Sequence, residues 1–253
     1  MADRYHYLPS IGLSVILTWV IPTFIKNEEA RRKILFPAAI VIMAIMAVIG
    51  WKQCGYWKNS TTLFSHALRS TKDNYIAYDG LGIALLKEGK IEEAINHFKQ
   101  AIHINSTHTN AYYNRGLSYL KLGKYQLAIY DFNKSIKDYA PCYYHRGYAY
   151  AKIGKYQYAI NNYNEAIRLK QDYTEAYNNR GGAYFKLGQY QRAINDYTEA
   201  IRLKQDYAEA YNNRGYVYLN QGKKELGCID AHKACELGNC RILEGAKIRG
   251  LCR

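Results

Sequence analysis

Three sets of side chains in this sequence stand at spacings that could do chemistry. Asn114, Asn179 and Asn213 share one register, Asn178 and Asn212 stand beside the last two, and Gly80 and His145 interrupt the row. A carboxamide both donates and accepts, so such a row can pair with a peptide backbone without reading its side chains. Lys87, Lys121, Lys152 and Lys186 form a second row, ended by Asn220, and repeated ammonium groups favour an acidic or phosphorylated ligand. Cys228, Cys235, Cys240 and Cys252, four of the six cysteines, gather near the C-terminus. No Walker loop, H-E-x-x-H, G-x-S-x-G or Ser, His and Asp constellation occurs, and the seven histidines are scattered through amphipathic stretches. No motif therefore marks a catalytic residue, metal site or cofactor site, and binding is the chemistry to look for.

The elements that must position these rows are helices. Tyrosine supplies 27 of 253 residues and proline only 4, which suits long helices with large amphipathic contact residues better than a loop-rich β sandwich. With 49% apolar and 22% charged residues the chain can build a sizeable core, and six cysteines are too few for a disulfide-built scaffold of this length. A formal charge of +14 raises nucleic acid, anionic lipid and acidic protein as partners.

Self-similarity sets the frame. Gly82, Gly116, Gly147, Gly181 and Gly215 recur at spacings of 34, 31, 34 and 34, and Gly89, Gly123, Gly154, Gly188 and Gly222 keep the same intervals. Small residues keep the period too, as Ala94, Ala128, Ala159, Ala193 and Gly227, then Ala101, Ser135, Ala166, Ala200 and Ala234, with Phe98, Phe132, Tyr163 and Tyr197 between them. In stretches such as 176–187 and 190–203, apolar residues recur three or four apart, so each helix buries a stripe on its neighbour. The second glycine of each unit falls just past a first helix, where left-handed backbone angles cost glycine little. No unit can bury its face alone, so stacking makes a one-dimensional solenoid.

The pattern closely resembles the tetratricopeptide repeat, a helix-turn-helix unit with an aromatic near its start, here Tyr78, Tyr112, Tyr143, Tyr177 and Tyr211. The resemblance implies an all-α, right-handed superhelix with units at 75–108, 109–139, 140–173, 174–207 and 208–241. By the same analogy the Asn and Lys rows face a concave groove lined by the first helices, where a protein or peptide would bind. The three residues missing from one interval are expected around Asp138 to Pro141, in the turn between units. Arg115, Arg146, Arg180 and Arg214 stand where many such repeats carry Leu, so they are expected to be partly buried and paired with acidic residues of neighbouring units. The lysine and arginine pairings by which chaperone-binding repeats capture C-terminal carboxylates are not reproduced.

The N-terminal 54 residues differ in kind. Ile11 to Ile25 and Ile34 to Gly50 are uncharged apolar runs of 15 and 17 residues, about 23 and 26 Å as helices, against a hydrocarbon core near 30 Å. Aromatic residues near their ends suit a membrane interface, so a helical transmembrane hairpin with spans at about 11–25 and 34–51 is expected. Lys26, Arg31, Arg32 and Lys33 between the spans place that loop in the cytoplasm and both chain ends outside, in the periplasm if the membrane is a bacterial inner one. Nucleic acid is then excluded as a partner, because the array faces away from the cytoplasm. Gly55, Phe64 and Ala67 stand 34 residues before Gly89, Phe98 and Ala101, marking 55–74 as half a repeat that starts at the bilayer.

Past the last unit, 242–253 reads as a capping helix covering the terminal apolar face. If the cap runs antiparallel to the helix before it, Cys235 lies near Cys240 and Cys228 near Cys252, a nested pair of disulfides that an oxidising compartment permits. A metal site and simple buried thiols are the alternatives, and neither spacing is a C-x-x-C ligand pair.

The first residues carry a second resemblance. Ala2-Asp3-Arg4-Tyr5-His6-Tyr7-Leu8-Pro9-Ser10 looks like a motif near the end of the multi-span part of membrane glycosyltransferases with C-terminal tetratricopeptide repeats, such as the transmembrane O-mannosyltransferases. Trp57, Leu63, Phe64, Ala67 and Asn74 continue the likeness. It implies that Arg4 and Tyr5 contact the phosphate of a lipid-linked sugar, as an arginine fork suits. The upstream spans and acidic catalytic residues of those enzymes are missing here. Two functions are open: a membrane-anchored scaffold that binds protein on the non-cytoplasmic side, or the C-terminal part of a transferase whose repeats present the acceptor protein.

Overall fold

The structure is a computed structural model that describes Glu29, Lys33 and residues 36–135 and 138–252. Among the described residues the regular elements are thirteen helices, and the chain divides into two compact units, 1–66 and 67–253.

In the first unit, α1 spans Phe36–Tyr56. Ile40, Val41, Met43, Ile45, Met46, Val48 and Ile49 are exposed, and Trp51 is 84% exposed. Among the described residues no helix is long and apolar enough to cross a membrane. The expected transmembrane hairpin is thus unsupported: span 11–25 lies outside the described residues, and of span 34–51 the structure describes 36–51, within α1. Gly55 lies inside α1, whereas the unit glycines it was aligned with end their helices. After residues 57–59 comes α2 (Ser60–Ser70), capped by the Asn59 carboxamide oxygen, which accepts from the Thr62 amide at 2.8 Å.

The second unit stacks five helix pairs: α3 (Tyr75–Lys87) with α4 (Ile91–Ile104), α5 (Thr109–Lys121) with α6 (Tyr125–Lys134), α7 (Ala140–Lys152) with α8 (Tyr156–Leu169), α9 (Thr174–Lys186) with α10 (Tyr190–Leu203), and α11 (Ala208–Asn220) with α12 (Lys224–Glu236); α13 (Arg241–Ile248) closes the row. Each first helix stops at a glycine with positive φ. At Gly188, φ is 72°, and the Gln189 amide reaches back to the Tyr184 carbonyl at 2.9 Å, satisfying an acceptor the helix end leaves open.

Packing within a pair explains the other glycine series. A Cβ at Gly181 would come within 2.8 Å of the Tyr197 ring, so only glycine lets that ring lie on the α9 backbone. Tyr197 is 2% exposed there, with Ala193 and Ala200 fully buried beside it. Burying a ring of this size stabilises the fold by roughly 1.5–3 kcal/mol. Ala193, Ile194 and Tyr197 of α10 also share a core with Val217 of α11, so the apolar seam runs from one unit into the next.

Arginine forks fasten the pairs. Arg115 donates to Asp131 at 2.7 and 2.8 Å, Arg180 to Asp196 and Arg214 to Asp230 at similar distances, each across 16 residues. The acidic partner therefore belongs to the same unit, not the neighbouring one as expected. What crosses to the preceding unit is a neutral contact: Arg180 to Asn164 at 2.7 Å, Arg214 to Thr198 at 2.9 Å and Arg146 to Asn133 at 2.8 Å. Burial pushes the carboxyls of Asp131 and Asp196 up, and the guanidinium forks oppose that push.

The shortened interval also differs from expectation. α6 has 10 residues where α4, α8 and α10 have 14, four fewer, while five residues instead of four separate it from the next first helix, which leaves a net loss of three. Ser135 ends α6 in an extended conformation, and its hydroxyl donates to the Phe132 carbonyl at 3.0 Å, competing with the helical bond.

First helices of successive units touch one another, α3 with α5, α5 with α7, α7 with α9 and α9 with α11, while the second helices make no comparable set of contacts. The first helices accordingly form the inner side of the array.

Candidate functional site

The Asn row is a ladder between units. Asn114 donates to Asp79 at 3.2 Å, Asn179 to the Tyr144 hydroxyl at 2.9 Å and Asn213 to Asn178 at 3.1 Å, each bond spanning 35 residues. His145, which interrupts the row, meets Tyr113 at the same rung through ring contact, 6.1 Å between centroids. One amide N–H of each of Asn114, Asn179 and Asn213 is thereby spent inside the protein. Burial sets the chemistry of these rungs: the Tyr144 hydroxyl is pushed up to about 12, with the Glu175 charge adding to it, and His145 is pulled down to about 4.

The ladder ends at Asn212. This residue is fully buried, and neither its carboxamide nitrogen nor its oxygen has a hydrogen-bond partner among the described residues. It borders a cavity of about 480 Å3. From α9 come Gly182, Phe185 and Lys186, and from α11 Asn213, Tyr216 and Val217. The third wall is Arg241, Ile242 and Gly245 of α13 with Arg249, the residue that caps it, whose Nε donates to the Gly245 carbonyl at 3.1 Å. A volume of this size is in the range of small-ligand sites.

The Lys row behaves differently from the Asn row. Lys87, Lys121, Lys152 and Lys186 are all exposed, each at the last residue of a first helix, and none joins an ion pair among the described residues. Lys152 lies 5.0 Å from the Tyr148 ring centroid. Arg4 and Tyr5 lie outside the described residues.

The four C-terminal cysteines pair as Cys228–Cys252 and Cys235–Cys240, one disulfide inside the other. Cys235–Cys240 joins the end of α12 to the start of α13, and Cys228–Cys252 ties the chain beyond α13 back to α12. Cys252, with Cys228 and Cys235 packed against it, shares a core with Ala231, Ile242, Leu243 and Ala246. Arg241 and Arg249 escaped the reading of the sequence, because they lie past the last repeat and belong to no repeating row. The available signal was Arg241, Gly245 and Arg249 at four-residue steps, one stripe of a helix.

Models of the family described as TPR repeat match residues 82–123, 147–188 and 181–222, and those of the tetratricopeptide repeat match 109–139 and 208–237. Together they cover more than half of the chain. The chain belongs to the tetratricopeptide repeat family. Among curated proteins it is similar to protein O-mannosyl-transferase TMTC3 of Mus musculus, 27% identical over 106 residues, which are 41% of this chain and 11% of that protein. Tmtc3 of Drosophila melanogaster is likewise 27% identical over 107 residues, 42% of this chain and 12% of that protein. The matched region is thus about a ninth of the length of these relatives. Among solved structures, MamA protein superposes with a TM-score of 0.62 at 25% identity, covering 71% of this chain and 96% of that one. YrrB, described as a TPR protein with an unusual peptide-binding site, superposes with a TM-score of 0.61 at 22% identity, covering 69% and 92%.

Proposed function

We infer that this chain is a scaffold that binds protein or peptide segments along the inner, first-helix side of its repeats, with the array held at a membrane on the non-cytoplasmic side. The observation that carries the binding role is the row Lys87, Lys121, Lys152 and Lys186, four exposed ammonium groups on successive first helices with no internal counter-charge among the described residues. Such a row attracts an acidic, extended partner. Family membership supports the same role, and YrrB, similar in fold, is a TPR protein with a peptide-binding site. The membrane part rests on the exposed aliphatic side chains of α1, which water solvates poorly, and on disulfides that suit an oxidising compartment. The test is co-purification from detergent extract by the whole chain and by a variant with all four lysines changed to glutamine. Partners captured by the first and lost by the second, with binding weakened by salt, support the reading; an identical set of partners overturns it.

A second reading is favoured by the likeness to the O-mannosyl-transferases and by the motif at residues 2–10. Here the repeats present an acceptor protein to a transferase core, and Arg4 and Tyr5 contact the phosphate of a lipid-linked sugar. Further apolar spans encoded in frame upstream of Met1, with mannosyl transfer by the longer protein that Arg4→Ala abolishes, support it. A ribosome-binding site directly before Met1 counts against it.

A further inference from the structure

The two edges of the array differ in charge. Because each unit repeats one helix-turn-helix placement and first helices pack on first helices, the turns inside units fall along one edge and the turns between units along the other. In units two to five the first edge is cationic: stretches 121–127, 152–158, 186–192 and 220–226 hold eight basic residues and one acidic residue, Glu225. Lys121 and Lys124 flank Gly123, Lys152 and Lys155 flank Gly154, and all eight basic side chains are exposed. At the other edge, 170–175 and 204–209 each set one lysine against two acidic residues. In the first unit Glu88, Glu92 and Glu93 crowd the matching stretch, and Lys90 is tied to Glu88 at 2.9 Å, so the cationic edge begins at the second unit.

Apolar side chains stand exposed among these charges. Leu127, Tyr158 and Leu226 are each the third residue of a second helix, and all three are exposed. Leu187 and Tyr190 flank the turn of the fourth unit, where Gln189 takes the place of the second lysine, and both are exposed as well. A soluble polyanion would pair with the charges and leave these five side chains in water. A bilayer surface accommodates both, with ammonium groups among the phosphates and Leu and Tyr at the boundary beneath them.

We propose that this edge docks on a surface of anionic phospholipid: its lysines meet headgroup phosphates, and Leu127, Tyr158, Leu187, Tyr190 and Leu226 enter the interface. Clustered basic residues are attracted to an anionic leaflet over about a Debye length, and the exposed apolar side chains add the short-range part of the contact. The inference rests on the placement of the array at a membrane and adds which edge faces the lipid, with the acid-bearing edge turned away. Lys124, Lys155, Lys223 and Lys224 stand outside the row assigned to peptide, so the two contacts are separable.

The test adds the whole oxidised chain to vesicles of phosphatidylcholine, alone or with one-third phosphatidylglycerol, recovers bound chain by flotation and reads lysine acetylation site by site by mass spectrometry. Lys124, Lys155, Lys223 and Lys224 should label about threefold more slowly, or slower still, on anionic vesicles than in the chain without vesicles, while neutral vesicles leave them unchanged. Lys170 and Lys204, on the other edge, should label alike throughout, and added salt should narrow the difference. The triple variant Leu127→Gln, Tyr158→Gln and Leu226→Gln keeps every lysine and should lose most of the protection while its circular dichroism spectrum is unchanged. Equal labelling with and without anionic vesicles, equal protection of both edges, or full protection in the triple variant overturns the docking edge in a chain that still floats. A chain that floats with neither vesicle overturns the membrane placement as well. Protection by polyglutamate or DNA, with none by anionic vesicles, gives the edge to a soluble polyanion and overturns the lipid assignment.

Discussion

Asn213 donates its carboxamide N–H to the oxygen of Asn178 at 3.1 Å, and this bond between residues 35 apart joins α11 to α9. Asn178 is 2% exposed, so its oxygen has no water to fall back on. Asn213→Ala should lower stability by about 1–2 kcal/mol in urea unfolding, since a buried acceptor is left unpaired. Asn178→Ala combined with Asn213→Ala should cost less than the sum of the single changes. Additive losses would show that the two side chains do not share a bond.

The Arg180–Asp196 pair is bidentate and mostly buried, with side-chain exposures of 17% and 8%. Arg180→Met should cost about 3–5 kcal/mol, because it strands a carboxylate beside the α9–α10 core. Arg180→Met with Asp196→Leu should recover most of that loss, since the pair itself contributes little beyond cancelling its own desolvation. Equilibrium unfolding of the three variants checks the order.

His145 sits among Tyr113, Phe132 and Tyr144, and burial lowers it from 6.5 to about 4. In the unfolded chain the imidazole takes a proton near its ordinary value while the folded one stays neutral. The group's contribution to stability is therefore complete above about pH 6.5 and is lost as pH falls towards 4, amounting to about 3 kcal/mol at most. His145→Gln should flatten the slope in this window relative to the unaltered chain. Parallel pH profiles for the two proteins would refute the assignment.

The two disulfides close loops of different length, with separations of 24 residues for Cys228–Cys252 and 5 for Cys235–Cys240. Chain-entropy arguments give about 3 kcal/mol for the longer loop and about 2 kcal/mol for the shorter. Because each unit contacts only its neighbours, Cys228→Ser with Cys252→Ser should loosen α13 and the last pair and leave α3 to α8 in place. Hydrogen exchange should show new protection loss confined to the last pair and α13. Uniform loss of protection across the array would contradict this.

Gly181 and Gly245 form a matched contrast. Gly181→Ala should cost about 1–3 kcal/mol, because the added Cβ would lie 2.8 Å from the Tyr197 ring. Gly245→Ala meets nothing within 4 Å and should stabilise α13 by up to about 1 kcal/mol. Melting temperatures that move in the same direction would disprove the packing account.

Much of the array was legible because its determinants are local and recur. Gly89, Gly123, Gly154, Gly188 and Gly222 mark turns by backbone angle alone, and each has positive φ as the spacing implied. The nested approach of Cys228 to Cys252 and Cys235 to Cys240 needed only a short turn and an antiparallel helix. The arginine row was readable as buried and paired, but its partner was assigned to the wrong unit. The i to i+16 fork depends on how far α10 is rotated against α9, and that angle leaves no mark on spacing. For the same reason Ser135 hid the early end of α6, where a hydroxyl outcompeted helix continuation.

What the amino-acid order determined by itself is the repeat: its period, its five copies, its turns and the small-residue seam, all set by contacts within a few tens of residues. Tertiary structure decided what the polar rows do. The superhelical angle between units turned the asparagines into an internal ladder, left the lysines in solvent and ended the ladder at Asn212 against a cationic wall. That outcome depends on the relative placement of α9, α11 and α13, which arises from summed packing of many side chains and so is written at no single position.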